Sequence, residues 1–280
     1  MKLYLNTTDW GKIDAAAQKA TAKRTVRRIL ALLCTVFLVP ALSESVFLPD
    51  ADGENVKPDL IINKDDRTVI EAPEFYPYSC VAFLDVICEC GCGWECSGSV
   101  VGNGHTVLTA AHSVYCPQHS APAESVIFYF GYHSYQKNLY RYDGAWSFDA
   151  GTSFDTHEYS FQNDWAIIHL EEDVGSITGI LETVFEPDDR ADSESVYQIL
   201  GYSDGRLYMD YGPLEIIDET LFEYGMDQDF GASGGPILNG QNQVVGIIIG
   251  HREEEDGTKR NVGYRLTAEL LEMIHEGDIP

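Results

Sequence analysis

Gly231-Ala232-Ser233-Gly234-Gly235-Pro236 sets a serine among three glycines just ahead of a short apolar run that ends at Leu238. Glycine has no Cβ and reaches positive φ without strain, so Gly231 lets the chain turn until its own amide and that of Ser233 face one point. Two N–H groups aimed at one point form an oxyanion hole, and the hydroxyl beside them is a candidate nucleophile. A serine hydroxyl reacts poorly until a base removes its proton, so this reading requires a histidine and a carboxylate on rigid mounts elsewhere.

Both are present. Ser97–Val101 and Thr106–Ala110 are apolar-rich runs on either side of Gly102-Asn103-Gly104, the pattern of a hairpin, and His112 stands just past its second strand. Asp164 opens Asp164-Trp165-Ala166-Ile167-Ile168-His169-Leu170, a polar residue at the mouth of a hydrophobic strand. Taken singly, a serine in a glycine turn, a core histidine and a strand-capping aspartate each have an ordinary structural explanation. Their joint occurrence in the order His112, Asp164, Ser233 points to nucleophilic catalysis.

Thr109-Ala110-Ala111-His112, Asp164-Trp165-Ala166-Ile167-Ile168 and Gly231–Pro236 resemble, in that order, the motifs of trypsin-like serine proteases of the chymotrypsin fold. Within that superfamily Asp65-Asp66-Arg67-Thr68 and Tyr76-Pro77-Tyr78 resemble the mature amino-terminal segment of secreted bacterial glutamyl endopeptidases. The resemblance covers roughly Leu60 to the end. It implies an all-β fold of two antiparallel six-stranded barrels, about 60–180 and 181–280, with a C-terminal helix. It implies a serine endopeptidase in which His112 and Asp164 of the first barrel meet Ser233 of the second, with Gly231 and Ser233 as the oxyanion hole. The expected partner is a protein or peptide substrate, cleaved by a monomer through an acyl-enzyme, with no cofactor and no metal.

The resemblance is looser at the substrate pocket. Glutamyl enzymes read a substrate carboxylate with a histidine 15 positions after the nucleophile and a hydroxyl residue five before it, where this chain has Ile248 and Gln228. Asp227 coincides with the position that selects Arg and Lys in some trypsin-like enzymes, and His251 lies just beyond Ile249 at the pocket wall. Asp227, Gln228, Ile248 and His251 are therefore the substrate-pocket candidates, with loop-amide bonding the alternative role for Asp227. Ala232 removes the switch in which an acidic residue beside the serine pairs with a freed amino terminus. Leu60-Ile61-Ile62-Asn63 aligns with the mature terminus of the glutamyl branch, so zymogen cleavage is expected near Asp59. Cys96 and Cys116 resemble a family disulfide, although Ser113, not a cysteine, directly follows His112.

Composition narrows the function classes. The formal charge is −27, and residues 1–43 hold seven Lys/Arg against two Asp/Glu, leaving 11 basic and 43 acidic residues in 44–280. So acidic a body repels nucleic acid. Lys23, Arg24, Arg27 and Arg28 precede the apolar run Ile29–Leu42, and Ser43 follows it. Its 14 residues fall short of the ~20 that span a bilayer, so the segment reads as an export signal and the protein as secreted. An uncleaved anchor with the protease outside is the alternative. Residues 44–59 read as a propeptide or linker. Six cysteines remain in the body, and disulfides fit an exported chain better than zinc on Cys88, Cys90, Cys92 and Cys96.

Short apolar runs recur from Cys80 to Leu266 without helical periodicity, whereas Tyr132–Phe161 reads as surface loops. One helix is expected after Thr267, with Leu270, Leu271 and Ile274 as its apolar stripe. A catalytically silent, protease-like binding protein at the cell surface is the competing function. A surface-anchored interaction protein organised by the cysteines is a further one.

Overall fold

A computed structural model describes residues 3–4, 48–49, 55–56, 61–62, 64–116, 121–133, 137–151, 160–186, 195–253 and 257–276. The expected leader run, nearly all of the linker and the cleavage point near Asp59 lie outside the described residues. Among those residues no helix is long and apolar enough to cross a membrane.

The strands used below are β1 (Thr68–Val69), β2 (Val81–Ile87), β3 (Gly93–Val101), β4 (Thr106–Thr109), β5 (Ser125–Phe130), β6 (Tyr140–Tyr142), β7 (Trp146–Ala150) and β8 (Ala166–Leu170). They continue as β9 (Tyr197–Ser203), β10 (Arg206–Gly212), β11 (Leu214–Ile216), β12 (Leu221–Tyr224), β13 (Pro236–Leu238), β14 (Val244–Glu253) and β15 (Lys259–Arg265), and the chain then enters helix α1 (Ala268–Glu276). One curled antiparallel sheet runs β7–β8–β4–β3–β2–β5–β6, and a second runs β11–β12–β15–β14–β13–β9–β10–β1. These are the two half-barrels of a trypsin-like fold. The short β1 and β11 extend the two edges of the second sheet.

Alternation along the strands builds three apolar layers. Leu84, Val107, Phe128 and Ile168 fill the inside of the first sheet, while Ile199, Phe222, Ile237 and Ile248 fill the second. Phe83, Leu108, Ile167, Leu200, Tyr202, Ile247 and Ile249 point the other way and share a third cluster that joins the sheets. Strands such as Val244–Ile249 are apolar on consecutive residues because both of their faces are buried. The third cluster also receives Leu270 and Ile274 of α1. That helix is capped as expected, the Thr267 hydroxyl accepting the Leu270 amide at 3.2 Å.

One expectation fails. Tyr132–Phe161 is not simply surface loop: β6 and β7 lie within it, and Tyr142, Trp146 and Phe148 are buried. The pattern Trp146-Ser147-Phe148-Asp149 is a half-buried strand, with Trp146 stacked on Phe148 at 5.7 Å between ring centroids. Polar and tyrosine-rich flanks had hidden it.

Candidate active site

His112 and Asp164 meet because of strand register. β4 and β8 are antiparallel with Thr109 opposite Ala166, so extending the pairing two residues brings Asp164 opposite Ala111, next to His112. His112 sits in the 3-10 turn Ala111–Ser113, and Asp164 closes the 3-10 turn Phe161–Asn163. Asp164 is fully buried and holds its partner at two points. Its Oδ2 accepts from the ring Nδ1 at 2.6 Å, and its Oδ1 accepts the main-chain N–H of His112 at 2.9 Å. A carboxylate can only accept, so this contact puts a proton on Nδ1 and leaves Nε2 as the ring nitrogen not bound to Asp164.

The turn around Ser233 is seated on the same strand region. Gly231 has φ +95° and a Cβ there would lie 2.7 Å from the Tyr202 carbonyl oxygen; Gly234 has φ +81° and a Cβ there would overlap Thr109 Oγ1 and the Ser97 carbonyl oxygen. Only glycine fits at these two positions, and the second brings the turn against Thr109 and Ala110, the residues leading into His112. The Ser97 amide donates to the Ser233 carbonyl at 2.8 Å. The amides of Ala232, Gly234 and Gly235 donate to the carbonyls of Asp229, Ile248 and Ala232 respectively. Ser233 itself is 3% exposed.

A family model described as a trypsin-like peptidase domain matches residues 96–247, a span that runs from β3 through His112, Asp164 and Ser233 into β14. The chain belongs to the trypsin-like peptidase family. As a member it is a serine-type endopeptidase with peptide substrates. The solved structure of a Glu endopeptidase in complex with MPD is similar, at a TM-score of 0.63 and 21% identity, covering 77% of this chain and 97% of that one. So is the protease Anisep from Arthrobacter nicotinovorans, at 0.54 and 20%, covering 68% and 92%. A thermostable serine protease from an extremophilic microorganism scores 0.54 at 17% identity, covering 71% and 96%. At these identities the structures share the fold.

The four pocket candidates have definite surroundings. Asp227 is buried, and its Oδ1 accepts the Ile62 amide at 2.6 Å while its Oδ2 accepts the Asp66 amide at 3.3 Å. Its own amide donates to Asp210 Oδ2 at 2.6 Å. Burial pushes the Asp227 and Asp210 carboxyls above the usual carboxylate range, with Asp66 adding repulsion to both. Gln228 is fixed between the Tyr224 hydroxyl at 2.7 Å and the Gly250 carbonyl at 2.7 Å. Ile248 is wholly buried, and its backbone pairs with Gly234 and Gly235. His251 is buried on β14 opposite Asn261 of β15.

Oxygens of Asp66, Asp210 and Asp227 lie within 4.8 Å of one another, the cation-like grouping found among the described residues. Asp210 and Asp227 already accept the amides of Tyr211, Asp227, Ile62 and Asp66. The group therefore behaves as a hydrogen-bonded knot that ties the amino-terminal segment to the second sheet. Arg67 adds to this tie, reaching Asp229 at 3.5 Å and lying 4.4 Å over the Tyr208 ring.

Cys96 and Cys116 are both buried, and Cys116 Sγ lies 3.9 Å from Cys90 Sγ. Cys116 lies four residues beyond His112, on a strand pair with Ala121–Pro122, and turns toward the 88–92 hairpin tip. Sequence reasoning missed Ser97, Asp210 and Asn261. Each has a partner more than 15 residues away, Gly231 for Ser97, Asp227 for Asp210 and the Met226 carbonyl for Asn261, and only Ser97 had a nearby signal, its place in the hairpin that delivers His112.

Proposed function

We propose that this endopeptidase is exported and works through a triad of Ser233, His112 and Asp164. Ser233 attacks the peptide carbonyl carbon as His112 takes its proton on Nε2; the imidazolium then protonates the leaving amine. Asp164 holds the tautomer and offsets the imidazolium charge. The amides of Gly231 and Ser233 are the proposed oxyanion donors, each worth on the order of 3 kcal/mol at the transition state. Water then repeats the sequence on the acyl-enzyme. The observation that carries this reading is the two-point grip of Asp164 on His112 beside a glycine turn seated on Thr109 and Ala110.

Processing near Asp59 is supported by the Ile62 and Asp66 amides on Asp227, which tie down the segment just beyond that point. Export rests on the basic stretch and apolar run of residues 23–42 and on the six body cysteines. Digestion of a peptide library by the wild type and by Ser233→Ala tests the triad and reads the preference together. Cleavage by the wild type alone is expected; absence of cleavage by both favours the silent binding protein. Amino-terminal sequencing of protein from the medium tests export and processing, with a start close to Leu60 expected.

A further inference from the structure

Ser97 is fully buried on β3, in the first sheet, yet every one of its polar groups is spent on the parts of the site that belong together. Its hydroxyl donates to the Gly231 carbonyl at 2.7 Å and accepts the Tyr202 amide at 2.8 Å. Its amide donates to the Ser233 carbonyl at 2.8 Å, and its carbonyl accepts the Thr109 hydroxyl at 2.7 Å. One residue therefore grips the nucleophile turn at Gly231 and Ser233, the end of β9 at Tyr202, and the strand that leads into His112.

Gly231 is the soft point of the turn. At φ +95° a glycine gives up no side-chain contact by rotating, so sterics alone do not fix the two peptide planes it joins. One of those planes carries the Gly231 N–H, a proposed oxyanion donor. The other carries the Gly231 carbonyl, and the Ser97 hydroxyl holds it.

We infer that Ser97 is a positioning residue: with its hydroxyl on the Gly231 carbonyl and its amide on the Ser233 carbonyl, it holds both ends of the turn that carries the proposed oxyanion donors. This rests on the triad and oxyanion reading proposed above. Ser97 touches neither substrate nor reacting atoms; it acts through the peptide it anchors. Its loss is felt where negative charge develops and not in ground-state binding, because a donor displaced by a fraction of an ångström still lets substrate bind.

The test compares a peptide boronate, which becomes a tetrahedral anion on Ser233, with the product peptide, which does not. In Ser97→Ala, and in Ser97→Cys, whose thiol keeps volume but donates weakly, boronate affinity and kcat are expected to fall about tenfold to a hundredfold. Product affinity and KM stay within about twofold of wild type. Ser79→Ala serves as the control for a merely structural loss: Ser79 is as buried and donates to the Thr178 carbonyl at 2.6 Å, away from the turn. It should lower the melting temperature and leave the boronate-to-product ratio unchanged. A folded Ser97→Ala or Ser97→Cys with the wild-type ratio overturns the inference, as does an equal shift in Ser79→Ala. Labelling of the wild type by a fluorophosphonate, lost in Ser233→Ala, is run alongside. If the wild type is not labelled the triad reading fails; if it is labelled and the ratio does not move, only the role of Ser97 fails.

Discussion

The two halves of the site are held by different means. His112 and Asp164 come from one sheet, face each other through one strand register, and bond directly to one another at 2.6 and 2.9 Å. Ser233 comes from the other sheet and is held by what its neighbours lack: Gly231 and Gly234 leave out the atoms that would collide with Tyr202, Thr109 and Ser97. The first half depends on a side-chain pair and the second on backbone fit across the sheets. Chemistry can therefore be removed from the first half without moving the fold, whereas the second is damaged by adding a single methyl group.

Substitutions separate the halves by size of effect. Ser233→Ala should lower kcat by about 10⁶-fold with the melting curve unchanged, since a methyl side chain still fits the turn. Asp164→Asn should cost about 10⁴-fold in kcat/KM, because an amide can present N–H to the ring and stabilise the wrong tautomer. Steady-state assays check both, and an Asp164→Asn enzyme within tenfold of wild type would break the first side of the comparison. Gly234→Ala tests the second side. At φ +81°, with Thr109 and Ser97 in the way, it should lose on the order of 3 kcal/mol in urea unfolding together with its activity. Gly98→Ala on β3 should lose less, since its nearest obstacle is the Val107 side chain at 2.9 Å, which can rotate.

The smallest effect concerns pH. Asp210 and Asp227 titrate above the unfolded carboxylate range, so the native state holds their protons longer than the unfolded chain does. Their contribution to stability is complete below the unfolded value and is lost as pH rises through the raised one. Asp227→Asn removes one titrating group, and its melting temperature should decline less steeply than that of the wild type upward from pH 4. A steeper decline would mean that the carboxylate is favoured in its charged form.

The difference between the halves also governs what could be read from the sequence. His112, Asp164 and Ser233 stand out as candidates in the sequence because each lies beside a strand whose apolar pattern survives in isolation, as β13 at Pro236–Leu238 does. β12 was not legible. Its Glu223 is buried against Arg252 of β14, so a charge interrupts the apolar run of a fully buried strand. β7 was masked by Ser147 and Asp149, the latter reaching His169 across the sheet at 3.1 Å. The role of Ser97 escaped for a related reason: it is made by a partner 134 residues away, and no local pattern encodes such a distance.

Mapping the adduct of a serine-directed fluorophosphonate by mass spectrometry, in the wild type and in His112→Ala, tests most directly whether the two halves act as one. A single adduct on the peptide that contains Ser233, with its rate collapsing when the imidazole is removed, is the predicted outcome. An adduct on any other residue, or a rate indifferent to His112, would contradict the account.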